Sequence, residues 1–268
     1  ERYKVTHSQW VPTMFIRMLR LPDEVKTQYD YSSLKCVIHA AAPCPIEIKL
    51  QMIKWWGEIL WEYYGASEGN GLTVIDSKEW LRHQGSVGRA RIGKVRICGE
   101  DGEELPKGET GLIYFSDNPV FEYHNDLQKT KDSRNQYGWS TLGDIGYLNE
   151  EDYLYLTDRK ANTIISGGVN IYPQEIENHL ISHPAVKDVA VIGAPNSEFG
   201  EEVKAVVIPK DISLKNVDLE KELIEFCYLK VGKIKSPRTV DFVENLPRQE
   251  NGKLYKRLLR DCYWKNKG

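Results

Sequence analysis

Asp144, Asp158 and Arg159 flank a polar turn in the stretch GWSTLGDIGYLNEEDYLYLTDRK. The segment IGYLNEEDYLYL reads as two short strands around a turn at residues 149–152, with Asp144 just before the first and Asp158-Arg159 just after the second. A short antiparallel connection brings such flanks together, which predicts a carboxylate and a guanidinium at one rim of a sheet. That pair can hold a polyol and an anion, for instance the ribose and phosphate of a nucleotide. The same groups can also form a solvent-exposed ion pair worth little, and spacing alone favours that plainer role.

Three other clusters have residue types suited to phosphate chemistry. In Tyr63-Tyr64-Gly65-Ala66-Ser67-Glu68-Gly69 the glycines let backbone approach a ligand. An aromatic can cover a flat ring, a hydroxyl can reach a phosphate oxygen, and a carboxylate can hold magnesium. Lys253 follows the Asn251-Gly252 turn signal and can deliver a point charge to a phosphate. Gly167-Gly168 can form a narrow wall beside a ligand. Taken singly, these also fit a turn after a buried strand, a solvated basic helix and a plain turn.

The elements that must position these groups fall into three textures. Residues 11–21 have helical apolar spacing, and residues 34–42, 46–56 and 59–64 read as strand, helix and strand, the order of a parallel α/β unit. Ligands gather at the carboxyl ends of such strands, here near residues 40–42 and 65–69. From residue 85, short strands at 94–98, 111–115, 145–148 and 153–157 alternate with turn signals and predict a β-rich subdomain or barrel. After residue 160, helices at 173–182 and 219–229 and strands at 186–192, 203–208 and 239–243 predict a small α+β unit. The expected fold class is therefore an α/β part (1–90), a β-rich subdomain (91–159) and an α+β carboxyl-terminal domain (160–268).

At 268 residues, with 41% hydrophobic and 28% charged residues, the chain has the composition of a globular protein with more than one domain. A net charge of −3 argues against nucleic acid or an anionic membrane as partner. No apolar run approaches the ~20 residues of a membrane-spanning helix. Five scattered cysteines without a CxxC pair point to reduced structural thiols and a cytoplasmic location. A chain opening at Glu1 in mid-pattern reads as a piece of a longer one.

YYGASEG, WSTLGDIG, TDRKANTIISGGVNIYPQEIE and LPRQENGK, in that order, resemble the AMP-forming acyl-CoA synthetases of the adenylate-forming superfamily, with luciferases and peptide-synthetase adenylation domains. VTHSQWVPTMF, HAAAPCP, GSVG and GEEVKAVVI agree, so the resemblance covers essentially all of the chain. It implies activation of a carboxylic acid by ATP to an acyl-adenylate, with release of pyrophosphate, followed by transfer to CoA.

It also implies roles for particular residues. Tyr64 and Gly65 flank the nucleotide, Ser67 touches phosphate and Glu68 holds Mg. Asp144 binds the ribose hydroxyls and Arg159 contacts ribose or phosphate. Lys253 stabilises charge as the adenylate forms, and Gly167 and Gly168 line the CoA path. Ala161 occupies the hinge position, where the family has Asp or Lys; backbone torsion rather than charge turns a hinge.

The family's glycine- and serine/threonine-rich phosphate loop is absent from the chain. The chain is then expected to be the second part of the enzyme, unable to adenylate alone, and to pair with a missing amino-terminal half or as a homo-oligomer through apolar surface around residues 1–70. The apolar segments at residues 11–18 and 36–44 suit a medium- or long-chain fatty acid, whereas HAAAPCP and DSKEWLRHQGSVG also look like bile- or steroid-acid ligases. Two further readings are a non-catalytic remnant that binds nucleotide, CoA or a partner chain, and an adenylation domain that loads a carrier protein.

Overall fold

The computed structural model describes residues 1–248 and 254–265. The chain divides into two compact units, Glu1–Leu156 and Thr157–Gly268.

The first unit opens with β1 (His7–Trp10), α1 (Pro12–Leu19), a one-turn helix α2 (Asp23–Thr27), β2 (Cys36–His39), α3 (Ile46–Trp56) and β3 (Leu60–Gly65). Strands β2 and β3 run parallel as neighbours, the α/β arrangement expected from sequence, and β1, which the sequence did not predict, pairs parallel with β2. Helix α3 starts after Pro45 and stops at Gly57, whose φ of +85° suits glycine. Its buried residues Lys49, Met52 and Ile53 lie on one helical stripe. Phe15, Val37, Met52, Leu60, Ile75 and Trp80 form the core beneath it.

Next come β4 (Leu72–Asp76), α4 (Ser77–Arg82), β5 (Ser86–Ile92), β6 (Lys94–Cys98), β7 (Gly111–Ser116), α5 (Leu127–Asp132), β8 (Ser140–Leu148) and β9 (Leu154–Arg159). The strands make one nine-stranded sheet in the order β1-β2-β3-β4-β5-β9-β8-β7-β6. The β-rich part is thus no separate barrel; β5 pairs with both β4 and β9 and joins it to the parallel strands. Both hairpin strands extend beyond their sequence-based limits. Asp144 lies inside β8, and Asp158 and Arg159 lie inside β9. Pairing of Ser140 with Phe115 on β7 draws the additional residues of β8 into the sheet.

The second unit contains β10 (Ile164–Ser166), β11 (Val169–Ile171), α6 (Pro173–Leu180), β12 (Val186–Asn196), β13 (Gly200–Pro209), α7 (Val217–Lys235, broken at Gly232), β14 (Thr239–Phe242) and α8 (Lys256–Trp264). Alternation along β12 and β13 buries both faces of their sheet. Val189, Val191, Val203, Ala205 and Val207 meet α6 and α7, while Ala190, Ile192 and Val206 meet Leu246, Leu254 and Leu259. Helix α6 carries proline at its first position and buries Pro173, Ile176, Glu177 and Leu180, a complete helical stripe.

Candidate functional site

Strand β3 carries Tyr64 and Gly65 to its carboxyl end, and Ser67 and Glu68 follow in the loop. The half-buried Tyr64 hydroxyl donates to Asp144 Oδ2 at 2.7 Å, across 80 residues of chain. Its ring stacks on Phe115, with centroids 6.2 Å apart and planes at 27°. A Cβ at Gly71 would stand 2.0 Å from the Phe115 ring, so glycine there is what lets Phe115 back Tyr64. Gly71→Ala is expected to displace Phe115 and cost about 1–3 kcal/mol of stability, read from thermal melts.

Asp144 reaches this position through a bulge. Leu112 pairs with Ile145 and Tyr114 with Thr141, so Leu142, Gly143 and Asp144 stand opposite Ile113 alone. Gly143 has φ +81°, and its N–H donates to Thr141 Oγ1 at 3.1 Å. Such bulges re-aim side chains, and Asp144 is left 8% exposed. An isolated glycine in a strand pattern is the sequence signal that could have revealed it.

Ser67 is exposed, and half-buried Glu68 accepts from the Tyr123 hydroxyl at 3.2 Å. Burial, and then the Glu68 charge, push the Tyr123 phenol above its ordinary range. Tyr123 had no signal in the sequence; it lies 55 residues from Glu68. Buried Asn70, directly after this loop, has an Oδ1 without a hydrogen-bond partner among the described residues. Among those residues no three His, Cys, Asp or Glu side chains form a metal cluster, and the five cysteines are free.

In the second unit, exposed Arg159 ends β9. Asp158 organises the turn after it. Its Oδ1 accepts from Arg159 N–H at 2.6 Å and Asn162 Nδ2 at 3.0 Å, and its Oδ2 accepts from Gln174 N–H at 2.8 Å. Exposed Ala161 sits within this turn, at residues Lys160–Asn162. Gly167 and Gly168, with φ of +57° and +82°, make the two-residue turn between β10 and β11. The Gly167 N–H donates to Phe199 O at 2.9 Å, and open space surrounds Gly168. A cavity of about 410 Å³ is lined by Ala161, Thr163, Gly193, Lys256, Arg260 and Trp264, among others. Lys253 lies outside the described residues.

Residues 1–123 match the family model of AMP-binding enzymes, and residues 175–253 match that of the AMP-binding enzyme C-terminal domain. The chain is 35% identical over 255 residues to the long-chain-fatty-acid–CoA ligase FadD13 of Mycobacterium tuberculosis, covering 94% of this chain and 49% of that protein. It is 34% identical to the putative acyl-CoA synthetase YngI of Bacillus subtilis, covering 97% of this chain and 48% of that protein. The chain therefore spans about half the length of the curated relatives it matches. Among solved structures, ATP-bound MatB of Rhodopseudomonas palustris superposes with TM-score 0.85 at 31% identity, covering 97% of this chain and 51% of that one. The o-succinylbenzoate CoA synthetase MenE of Bacillus subtilis, solved with its acyl-adenylate, superposes with TM-score 0.82 at 28% identity, covering 97% and 52%. No helix among the described residues is long and apolar enough to cross a membrane. With a mixed α/β sheet, a second mainly antiparallel sheet and both family models in order, the chain belongs to the AMP-binding, adenylate-forming enzymes, and its relatives are CoA ligases.

Proposed function

We propose that the chain is the carboxyl-terminal part of an ATP-dependent acid–CoA ligase, with residues 1–159 completing the large nucleotide-binding domain and residues 160–268 forming a mobile domain. The supporting observation is the Tyr64–Asp144 hydrogen bond of 2.7 Å, which joins an aromatic ring to a nearly buried carboxylate at the end of a strand. A flat ring suits adenine, and a carboxylate accepting in two directions suits vicinal hydroxyls.

On this reading the substrate carboxylate attacks the α-phosphorus of ATP and expels pyrophosphate, and the CoA thiol then displaces AMP. Tyr64 and Gly65 bound adenine, Ser67 reaches phosphate, Asp144 holds ribose, and Arg159 contacts ribose or phosphate. Lys253 neutralises charge at the α-phosphate, Gly167 and Gly168 border the CoA arm, and the backbone at Ala161 is the pivot. Glu68 is a half-buried carboxylate beside the exposed Ser67 hydroxyl. One or two carboxylates completed by phosphate oxygens is the donor set Mg²⁺ takes, so Glu68 fits; the ion would neutralise phosphate charge. The acid is a medium- or long-chain fatty acid, as in the fatty-acid ligases among the relatives.

The test is calorimetric titration of AMP into the chain. AMP is expected to bind, and Asp144→Ala to weaken it roughly tenfold, about 1.4 kcal/mol. An AMP analogue without ribose hydroxyls should bind the unsubstituted chain as weakly as AMP binds the variant. Equal affinities throughout would overturn the role of Asp144. Without the phosphate loop, the chain alone should release no pyrophosphate from ATP with any acid, and steady-state release would refute that part.

A further inference from the structure

Glu68 carries the negative charge of the loop after β3, and one side chain from far along the sequence holds it. Among the described residues its hydrogen-bond partner is the Tyr123 hydroxyl, which donates to Oε1 at 3.2 Å. The loop backbone is fixed locally: Gly69 N–H donates to Ala66 O at 3.0 Å, and Gly69 has φ +68°. That leaves the long Glu68 side chain able to change rotamer unless a group outside the loop stops it.

Tyr123 is held well enough to be that stop. Its N–H donates to Thr130 Oγ1 at 2.9 Å, and the buried Thr130 hydroxyl donates in turn to Asp126 O at 2.9 Å. Asp126 caps α5 by accepting from Lys129 N–H at 2.9 Å. Lys129 Nζ stands 3.8 Å from the centre of the Tyr123 ring, and the Phe121 ring meets it edge-on with centroids 5.4 Å apart. Arg134 Nη2 donates to Phe121 O. Residues 121–134 thus fold on themselves around this ring. Phenylalanine would fill the same volume and keep both ring contacts. The hydroxyl serves only Glu68 among the described residues, so packing of the segment does not account for it.

A carboxylate that binds a metal ion is itself oriented by hydrogen bonds from groups that do not touch the ion. A donor on one oxygen leaves the other for the ion, a contact suited to Mg²⁺, which keeps several waters. Among the described residues no three His, Cys, Asp or Glu side chains cluster, so the aim of this single carboxylate matters more than in a crowded site. We propose that Tyr123 is a positioning residue, which orients Glu68 towards Mg²⁺ during adenylate formation. This rests on the role given to Glu68 above. Tyr123 acts through the carboxylate and not on the substrate.

The experiment uses the longer protein, in which this chain is joined to an amino-terminal part bearing the phosphate loop. Mn²⁺, which shares the preference of Mg²⁺ for oxygen donors, is titrated into its complex with ATP. The acid is left out, so no adenylate forms. Enhancement of water-proton relaxation reads the protein-bound metal. Tyr123→Phe should weaken Mn²⁺ binding about 10–100-fold, while AMP affinity without metal stays within about twofold. The melting temperature should stay near that of the parent. Adenylation, followed by ATP–pyrophosphate exchange, should need correspondingly more Mg²⁺ and regain its rate when Mg²⁺ is raised. Thioester formation from supplied acyl-adenylate and CoA should be unchanged. Combined with Glu68→Ala, Tyr123→Phe should cost little further Mn²⁺ affinity.

Unchanged Mn²⁺ affinity in Tyr123→Phe, in a protein where Glu68→Ala weakens it, would overturn the proposal alone. A loss that tracks falls in melting temperature and in AMP affinity would make the bond a staple between two loops and overturn it as well. Unchanged Mn²⁺ affinity in Glu68→Ala itself would overturn the underlying role of Glu68.

Discussion

Lys49→Met is expected to destabilise the first unit by about 3–5 kcal/mol at neutral pH. Lys49, on α3, is wholly buried, with Nζ 2.6 Å from Glu62 Oε2 and 4.6 Å from the Trp80 ring centre. Glu62, on β3, is the register partner of His39 on β2, and the His39 Nε2 lies 3.6 Å from the same carboxylate oxygen. Burial, and then Lys49, hold the His39 ring well below its ordinary pKa, so it is neutral beside the pair, and in the variant its burial still disfavours taking the place of the missing cation. Removing Lys49 therefore strands a carboxylate in an apolar core.

The pH dependence follows from Glu62. Burial already raises its pKa, and Lys49 and its hydrogen bond pull it back down. In the variant the folded pKa rises further, while the unfolded one stays near the ordinary value. The folded state then holds a proton that the unfolded state has lost. Relative to the parent, whose Glu62 pKa is itself raised, the deficit should be smallest below the parent's folded pKa, grow as pH rises towards the variant's folded one, and level off above it. Urea melts at acidic and neutral pH measure this. The pair replacement Lys49→Met with Glu62→Leu should cost less than Lys49→Met alone, since no charge is stranded. A deficit independent of pH, together with a pair replacement costing the sum of its parts, would show that volume and not charge is responsible. Because Tyr64 lies two residues beyond Glu62 on β3, loss of this pair should also loosen AMP binding.

Lys253→Ala in the longer protein is expected to slow adenylation by about 10²–10³-fold, the usual effect of removing one preorganised donor from a developing charge. Thioester formation from supplied acyl-adenylate should keep most of its rate, because the charge at the α-phosphate has already been neutralised in that intermediate. A lysine is suited to the task as a compact cation on a flexible stem. The two half-reactions measured separately decide the matter. Equal loss in both would mean that Lys253 supports the protein or binds CoA rather than stabilising adenylation.

How much of the site could be read from residues alone differs from element to element. The parallel β2–β3 pair was anticipated from β2, α3 and β3, whose apolar runs and bounding Pro45 and Gly57 are local signals. Strands β1 and β4 carried no comparable signal. His7–Trp10 and Leu72–Asp76 are short and mixed in polarity, and pairing with neighbours makes them strands. The β-rich strands were anticipated, but not their joining to the parallel sheet, which depends on β5 pairing on both edges. Gly88 allows it, since its φ is +94° and a Cβ would stand 2.1 Å from Val74 O.

The sequence by itself determined the family, the order of the motifs and the local turns. Proline, glycine and apolar periodicity act within a few residues, as at Pro173 and the Gly167-Gly168 turn. Only the tertiary structure decided which side chains meet. Asp144 reaches Tyr64 because a bulge turns it out of the β8 alternation, and Arg248 reaches Asp188 across 60 residues because two strands and a helix pack between them in the chain. Such contacts depend on register and on burial that makes an unpaired charge costly, and neither is a property of any short stretch of sequence.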